Sequence, residues 1–353
     1  MRFLKIQFNV SNSVDTFLPD TFIAENKFVL IDSFKQRKIK LLIQSHIMQT
    51  SRRNFIKKST VAIAGTALLT NKIFASPGSV KITGLQLYSV REDMKKAPKE
   101  TLQKLSSFGY KYVEHANYVN RKFYGYEVDE FKKILDGFGL KMPSGHTVMN
   151  GTHWDASKKD FTDAWKYTVE DAATVGQQYV ISPWLDESLR KDYDGLLRWM
   201  DVFNKSGELC KKSGMKFGYH NHDFEFSAMV NNQKIYDIIL QHTDPSLVAQ
   251  QLDIGNMYGV GGRAVELINK YPGRFELMHV KDEIKAPNNK GEMEGGYEST
   301  VLGKGVLGVK PVLDAAELKG GTTHYIIEQE SYQTITPLEA VKLDLQIMKK
   351  WGY

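Results

Sequence analysis

Lys216-Phe217-Gly218-Tyr219-His220-Asn221-His222-Asp223-Phe224-Glu225 is the stretch that decides the fold. It opens as a short apolar run that reads as a strand. Side chains alternate faces along a strand, so His220 and His222 point the same way at its end, with carboxylates just beyond. A helical pattern over residues 196–212, stopped at Gly214, delivers the chain into this strand. Three later segments repeat the design of an apolar strand with a polar end. They are Gln251-Leu252-Asp253-Ile254-Gly255-Asn256, Leu277-Met278-His279-Val280-Lys281-Asp282 and Ile326-Ile327-Glu328-Gln329-Glu330.

Working outward, the same unit recurs from residue 81 to the end. Apolar runs fall at 84–90, 112–116, 143–148, 179–184, 216–219, 247–253, 275–280 and 325–328. Helical patterns follow each, and several stop at glycine, such as Gly109, Gly139 and Gly214. About eight strand-then-helix units in this length suit a (β/α)8 barrel, an α/β fold. The strands are continuous apolar runs, as expected when both faces are covered. An open doubly wound sheet would place a glycine-rich phosphate turn after the first strand. That turn here is Tyr88-Ser89-Val90-Arg91-Glu92-Asp93, without glycine. The segment 284–308 is rich in glycine and charge and shows no periodicity.

The chain divides into three parts. Residues 80–353 form the barrel domain. Residues 48–75 read as a twin-arginine export leader, with Arg52-Arg53, a weakly apolar run over 61–69 and small residues near Ala75. That apolar run is too short to span a bilayer. Residues 1–47 fit no targeting pattern and read as a spurious or disordered extension, with Met48 as the natural start. The expected location is the periplasm, with no membrane anchor after signal removal. The net charge of +6 belongs to this leader: residues 1–75 carry 12 of the 47 Lys and Arg but 4 of the 41 Asp and Glu. The remainder is close to neutral, at about −2, and has no charge reason to bind nucleic acid. The single cysteine, Cys210, cannot form an intramolecular disulfide.

Active sites of such barrels lie at the carboxyl ends of the strands. A divalent metal needs three or four N or O donors converging from different elements. The fifth to eighth strand ends offer His220, Asp253, His279 and Glu328, with His222 as an alternative ligand or a nearby base. Mixed imidazole and carboxylate donors favour manganese, zinc or cobalt. Such a metal would polarise a sugar carbonyl. Glu328, His222 and Lys281 are the candidates for proton transfer, with Glu330 a further base. Tyr88, Glu114, His146, Trp184, Asn256 and Glu330 are the candidate substrate contacts.

These residues together resemble the sugar phosphate isomerase/epimerase family. The resemblance is carried by Gly84-Leu85-Gln86-Leu87-Tyr88-Ser89-Val90-Arg91, Gly109-Tyr110-Lys111-Tyr112-Val113-Glu114, the His220-Asn221-His222-Asp223-Phe224-Glu225 stretch, Leu252-Asp253-Ile254-Gly255-Asn256, His279-Val280-Lys281-Asp282 and Ile327-Glu328-Gln329. It implies a xylose-isomerase-like TIM barrel with one divalent metal, and Asp253, His279 and Glu328 match its ligand positions. Two departures stand out. The family's ketose 3-epimerases carry a glutamate where His220 stands, and a histidine where Asn256 stands. Two-face epimerisation is therefore expected to be impaired. The pattern resembles the inosose dehydratase branch and the lyases that cleave 3-keto-glycosides.

The expected function is that of a divalent-metal-dependent sugar isomerase or epimerase working through an enediolate. β-Elimination by a lyase on an inosose-like or 3-keto-glycoside substrate is the alternative, and a non-catalytic sugar-binding barrel the second. The expected partners are a small-molecule sugar or keto-sugar and a second copy of the chain in a homodimer.

Overall fold

The computed structural model describes residues 81–353, except 293 and 294. The extension 1–47 and the leader 48–75 lie outside the described residues. Eight parallel strands alternate with eight principal helices. The strands are β1 (Ile82–Gln86), β2 (Tyr112–His115), β3 (Lys141–His146), β4 (Tyr179–Ser182), β5 (Lys216–His220), β6 (Val248–Asp253), β7 (Leu277–Val280) and β8 (His324–Ile327). They pair in sequence order, and β1 closes on β8. The helices are α1 (Pro98–Phe108), α2 (Val128–Gly137), α3 (Asp163–Val175), α4 (Tyr193–Lys212), α5 (Ile235–His242), α6 (Ala264–Lys270), α7 (Val309–Ala315) and α8 (Pro337–Lys350). This is the (β/α)8 barrel that the strand pattern predicts. No helix among the described residues is long and apolar enough to cross a membrane.

Two layers of apolar packing hold the barrel. The larger lies between strands and helices and includes Leu85, Val113, Phe217, Leu252, Val280 and Ile327. A small inner cluster of Ile181, Ala249 and Leu277 fills the barrel itself, with Tyr179 packed against it. Gly218 on β5 makes room for it. A Cβ at that position would lie 2.3 Å from Cδ1 of Ile181. The inner apolar layer forms a floor, and the polar strand ends sit above it.

Local signals explain the element ends. The strand read over 84–90 stops at Gln86, because the Gln86 side chain accepts a hydrogen bond from the Tyr88 N–H at 3.1 Å. That bond starts a 3₁₀ turn over Leu87–Val90. Helix α8 begins with a capping box, in which Thr336 and Glu339 satisfy each other's backbone N–H groups and Pro337 occupies the first turn. The aperiodic segment 284–308 holds an antiparallel hairpin of Asp282–Lys285 with Tyr297–Thr300. A three-stranded hairpin sheet of Tyr118–Val119, Lys122–Phe123 and Tyr126–Glu127 follows β2. Two-residue strands carry too little alternation to be read from sequence.

The interior of α4 tests how closely the layers pack. A Cβ on Gly207 would lie 2.6 Å from the carbonyl oxygen of Leu247 and 2.7 Å from its Cβ. Gly→Ala in a helix interior ordinarily gains about 1 kcal/mol. Forcing backbone apart costs about 1–3 kcal/mol, so the clash should win. Gly207→Ala is expected to lower the thermal unfolding midpoint by several degrees, read by circular dichroism.

Candidate active site

Strand register brings the polar ends together. Asp253 on β6 is paired with His279 on β7, His220 on β5 with Gln251 on β6, and Glu114 on β2 with Gln86 on β1 and Ser144 on β3. Glu328 follows β8, its N–H bonded to the Val280 carbonyl at 3.2 Å. The donor atoms of His220, Asp253, His279 and Glu328 all lie within 4.8 Å of one another. A second, overlapping group joins His146, His220 and His279. His222 belongs to neither, so of the two histidines left open by the sequence, His220 sits in the cluster.

The hydrogen bonds fix where the lone pairs point. His279 Nε2 donates to Glu114 Oε1 at 2.6 Å, while Nδ1 faces Glu328 Oε2 at 2.9 Å and Asp253 Oδ2 at 3.7 Å. Gln251 Nε2 donates to Glu114 Oε2 at 2.8 Å, which turns Gln251 Oε1 towards His220 Nδ1 at 3.1 Å. The proton of His220 is thus on Nδ1, and Nε2 looks into the cluster, 3.8 Å from Asp253 Oδ2. Burial, reinforced by His279 and His146, holds the His220 imidazole well below its ordinary pKa, so it is neutral. A neutral ring is what metal ligation requires.

Asp253 supplies the direct test of whether a cation fits. Its Oδ1 accepts the N–H groups of Gly255 and Asn256 at 2.9 and 2.8 Å. Its Oδ2 is buried without a hydrogen bond. Around that oxygen stand Lys281 Nζ, His279 Nδ1 and His220 Nε2 at 3.6–3.8 Å. An orphaned buried carboxylate oxygen is costly unless something positive reaches it. The donor set therefore fits a divalent ion, with His220 Nε2, Asp253 Oδ2, His279 Nδ1 and Glu328 as the atoms that could hold it. Asn221, absent from the candidates read in the sequence, fixes Asp253 by bonding both its N–H and its carbonyl, at 2.9 and 3.1 Å.

Lys281 is fully buried beside this group. Its Nζ lies 2.5 Å from Glu330 Oε1, 3.0 Å from Asn256 Oδ1 and 3.3 Å from Glu328 Oε2. Burial opposes its charge, but Asp253, Glu330 and Glu328 outweigh that and keep it an ammonium. Burial likewise opposes ionisation of Glu328, yet Lys281 and His279 hold its carboxyl well below the usual range.

Above the cluster opens a cavity of about 850 Å³. Its inner end is lined by Tyr88, His146, Trp184, His222, Asn256 and Glu330. Trp184 meets His222 edge-on at 5.3 Å. The backbone at His222 is held by Glu225, which accepts its amide N–H at 2.9 Å and the Tyr219 hydroxyl at 2.5 Å. The glutamate of the opening motif is thus a buried support, not a ligand. Burial pushes the His222 imidazole down to about 4.

Glu114 requires a correction. Expected against substrate, it is fully buried beneath the cluster and takes hydrogen bonds from Gln86, Ser144, Gln251, His279 and His146. Alternation on β2 turns it into the barrel, below the cavity. Burial opposes its ionisation, but His146 and His279 prevail and hold it well below the usual carboxylate range. Ser144 and Gln251 were not singled out in the sequence. Each is a polar residue at an inward position of an apolar strand, and that is the signal that identifies them.

A family model described as a xylose isomerase-like TIM barrel matches residues 102–351. An inosose dehydratase of Clostridium beijerinckii is 26% identical over 253 residues, which cover 65% of this chain and 83% of that enzyme. An inosose dehydratase of Geobacillus thermodenitrificans is 27% identical over 139 residues, covering 37% of this chain and only 46% of that enzyme. Among solved structures, a sugar phosphate isomerase/epimerase from Parabacteroides distasonis is 26% identical with a TM-score of 0.63, covering 76% of this chain and 98% of that one.

Elemental analysis of the protein expressed from Met48 without a histidine tag should find about one divalent ion per chain. Asp253→Ala and His279→Ala should abolish it. Glu114→Gln should weaken metal affinity about 10–100-fold, because the ring of His279 loses the carboxylate that orients it. A folded, metal-free wild type that takes up no added ion would remove the metal site.

Proposed function

Because the chain belongs to the xylose isomerase-like TIM barrel family, we propose that it is a divalent-metal-dependent lyase acting on a keto-sugar or ketocyclitol. It removes the proton next to the carbonyl and expels an oxygen substituent from the β carbon. One observation carries this reading. The cavity presents an imidazole, His222, and two carboxyls, Glu328 and Glu330, which both follow β8 and both pair with the Lys281 ammonium, at 3.3 and 2.5 Å, instead of facing each other from separate strands. That arrangement suits one proton removed and one proton given to a leaving group. It does not suit exchange of a proton between the two faces of one carbon.

His220, Asp253, His279 and Glu328 would hold the metal, which would supply Lewis-acid polarisation of the carbonyl next to the C–H bond. The neutral His222 ring accepts that proton. The buried Lys281 ammonium opposes the negative charge that develops on the substrate oxygen. The C–O bond at the β carbon breaks, and Glu330 gives its proton to the departing oxygen. Trp184 and Tyr88 bound the substrate on the cavity wall. The names of the inosose dehydratase relatives support a dehydration of this type. A second reading, reprotonation of the same enediolate to an isomer or epimer, is favoured by the Parabacteroides neighbour. The leader read at 48–75 supports export by the twin-arginine route, which would set the reaction in the periplasm.

His222→Ala should lower kcat by about 10²–10⁴ with metal content unchanged, whereas His220→Ala should lose the metal. Mass spectrometry of the product separates the two readings: elimination removes water or an alcohol, while isomerisation conserves mass. The reverse pattern in the two histidine variants would overturn the assignment.

A further inference from the structure

A second cavity, of about 520 Å³, adjoins the one above the cluster, and Tyr88, Ala116 and Asn117 line both. It is formed by the segment after β1 and the loop after β2. Its charge is the reverse of its neighbour's. The first cavity carries the carboxyls of Glu328 and Glu330, and Arg121 is the one Arg or Lys among its lining residues. Arg121 is already taken, with Nη2 and Nε on Asp171 at 2.6 and 3.0 Å. Tyr118 adds its hydroxyl to the same carboxylate at 2.5 Å. The second cavity carries Arg91 and Lys95 against one carboxylate, Glu92.

Three of its residues have donors to spare. Arg91 and Lys95 stand four apart on the short helix Arg91–Lys96, so they share a face. Arg91 is fixed in place. Its Nη1 donates to the Tyr88 carbonyl and the Tyr332 hydroxyl at 3.2 and 3.3 Å, and its Nη2 to the Glu330 carbonyl at 3.2 Å. Those three bonds leave two of the five guanidinium N–H groups uncommitted. Lys95 is exposed and, among the described residues, has no hydrogen-bond or ion-pair partner. Tyr124 is the third. Its hydroxyl oxygen accepts the N–H of Ala116 at 3.0 Å, and both residues line the cavity. Among the described residues, nothing accepts the phenolic proton. Tyr124 also holds a φ of +50°, in the turn with Gly125 that joins Lys122–Phe123 to Tyr126–Glu127. Asn, Asp or Gly takes that turn position without strain, whereas a bulky side chain there is an outlier. Such outliers gather at ligand sites.

We propose that the second cavity is a subsite for a carboxylate carried by the substrate, bound by Arg91, Lys95 and Tyr124, so that the substrate is a sugar acid. The inference rests on the first cavity holding the sugar ring, as in the reading above, and is independent of what happens to that ring. Two cations and one carboxylate leave a single positive charge, which one carboxylate of the substrate neutralises. A dianionic phosphate leaves the pocket with excess negative charge. An acid placed in the first cavity meets Glu328 and Glu330 instead, and like charges brought together oppose binding. Tyr88, on the shared wall, is held by the Arg91 guanidinium 4.7 Å from its ring centre.

The test is calorimetry on the full metal-loaded protein with methyl glucoside, methyl glucuronide and methyl glucoside 6-phosphate. None of the three carries the ketone that elimination or enediolate formation needs, so failure of either reaction leaves this result unaffected. Wild type should bind the glucuronide about tenfold more tightly than the glucoside, the gain expected of one hydrogen-bonded charge. Lys95→Gln, at an exposed position, should remove most of that preference, and Tyr124→Phe should reduce it, with folding checked by circular dichroism. A preference that survives in both variants overturns the subsite, and its loss in folded Asp253→Ala then assigns the acid to the metal. Glucuronide bound no more tightly than glucoside in wild type, binding of neither included, also overturns it. A 6-phosphate bound more tightly than the glucuronide overturns the assignment to a carboxylate.

Discussion

The arrangement of the site depends on one buried carboxylate, that of Glu114. It lies inside the barrel, below the mouth, and accepts from five side chains, including His279 on β7 and Gln251 on β6. A carboxylate accepts only, so every neighbour must donate to it. That single constraint sets the orientation of Gln251, which sets the tautomer of His220, and it sets the tautomer of His279 directly. Both rings therefore turn their other nitrogen to the same small volume, beside the unbonded oxygen of Asp253. The atoms that could hold a metal are aimed by a residue that is not itself among them.

The charge balance of the cluster follows from that geometry. Asp253, Glu328, Glu330 and Glu114 crowd one fully buried ammonium, Lys281, and one imidazole, His279. Burial alone would neutralise such groups. Basic neighbours hold Glu114 and Glu328 well below the usual carboxylate range, burial raises Glu330, and His279 is driven well above its ordinary pKa by Glu328 and Glu114 against the cost of burial. Loading a divalent ion onto Nδ1 of His279 must therefore displace a proton. The site is built around positive charge, and a cation takes over a place that the imidazolium and Lys281 fill in part.

The barrel and four of its candidate site strand ends were legible in the sequence, because each is an apolar run closed by a polar residue with period two. His220, Asp253, His279 and Glu328 were found by that signal and do converge. Glu114 was found but misplaced. Sequence gives the inward face of β2, not the height at which a side chain stops below the mouth. Asn221 and Glu225 were quoted with the histidines, but their partners, the backbone of Asp253 and the hydroxyl of Tyr219, are set by inter-strand contact and turn geometry. The Tyr118–Arg121–Asp171 contact was not legible, since it joins a two-residue hairpin strand to a helix 50 residues on.

On the proposed reading, His220, where the resembled ketose 3-epimerases carry a glutamate, changes what the site can do after proton removal. A neutral imidazole at that position removes one negative charge from the cluster, which makes the enediolate less costly to form. It also removes the group that would return a proton to the opposite face. His220 cannot take that role, since its Nδ1 proton is held by Gln251 and its Nε2 faces Asp253. A stabilised carbanion with no proton donor on its far face persists until another bond yields. The bond best placed to yield is the one to an oxygen on the β carbon, which relieves the charge by departure of the substituent. On the proposed reading, the histidine at position 220 thus weakens epimerisation and favours elimination.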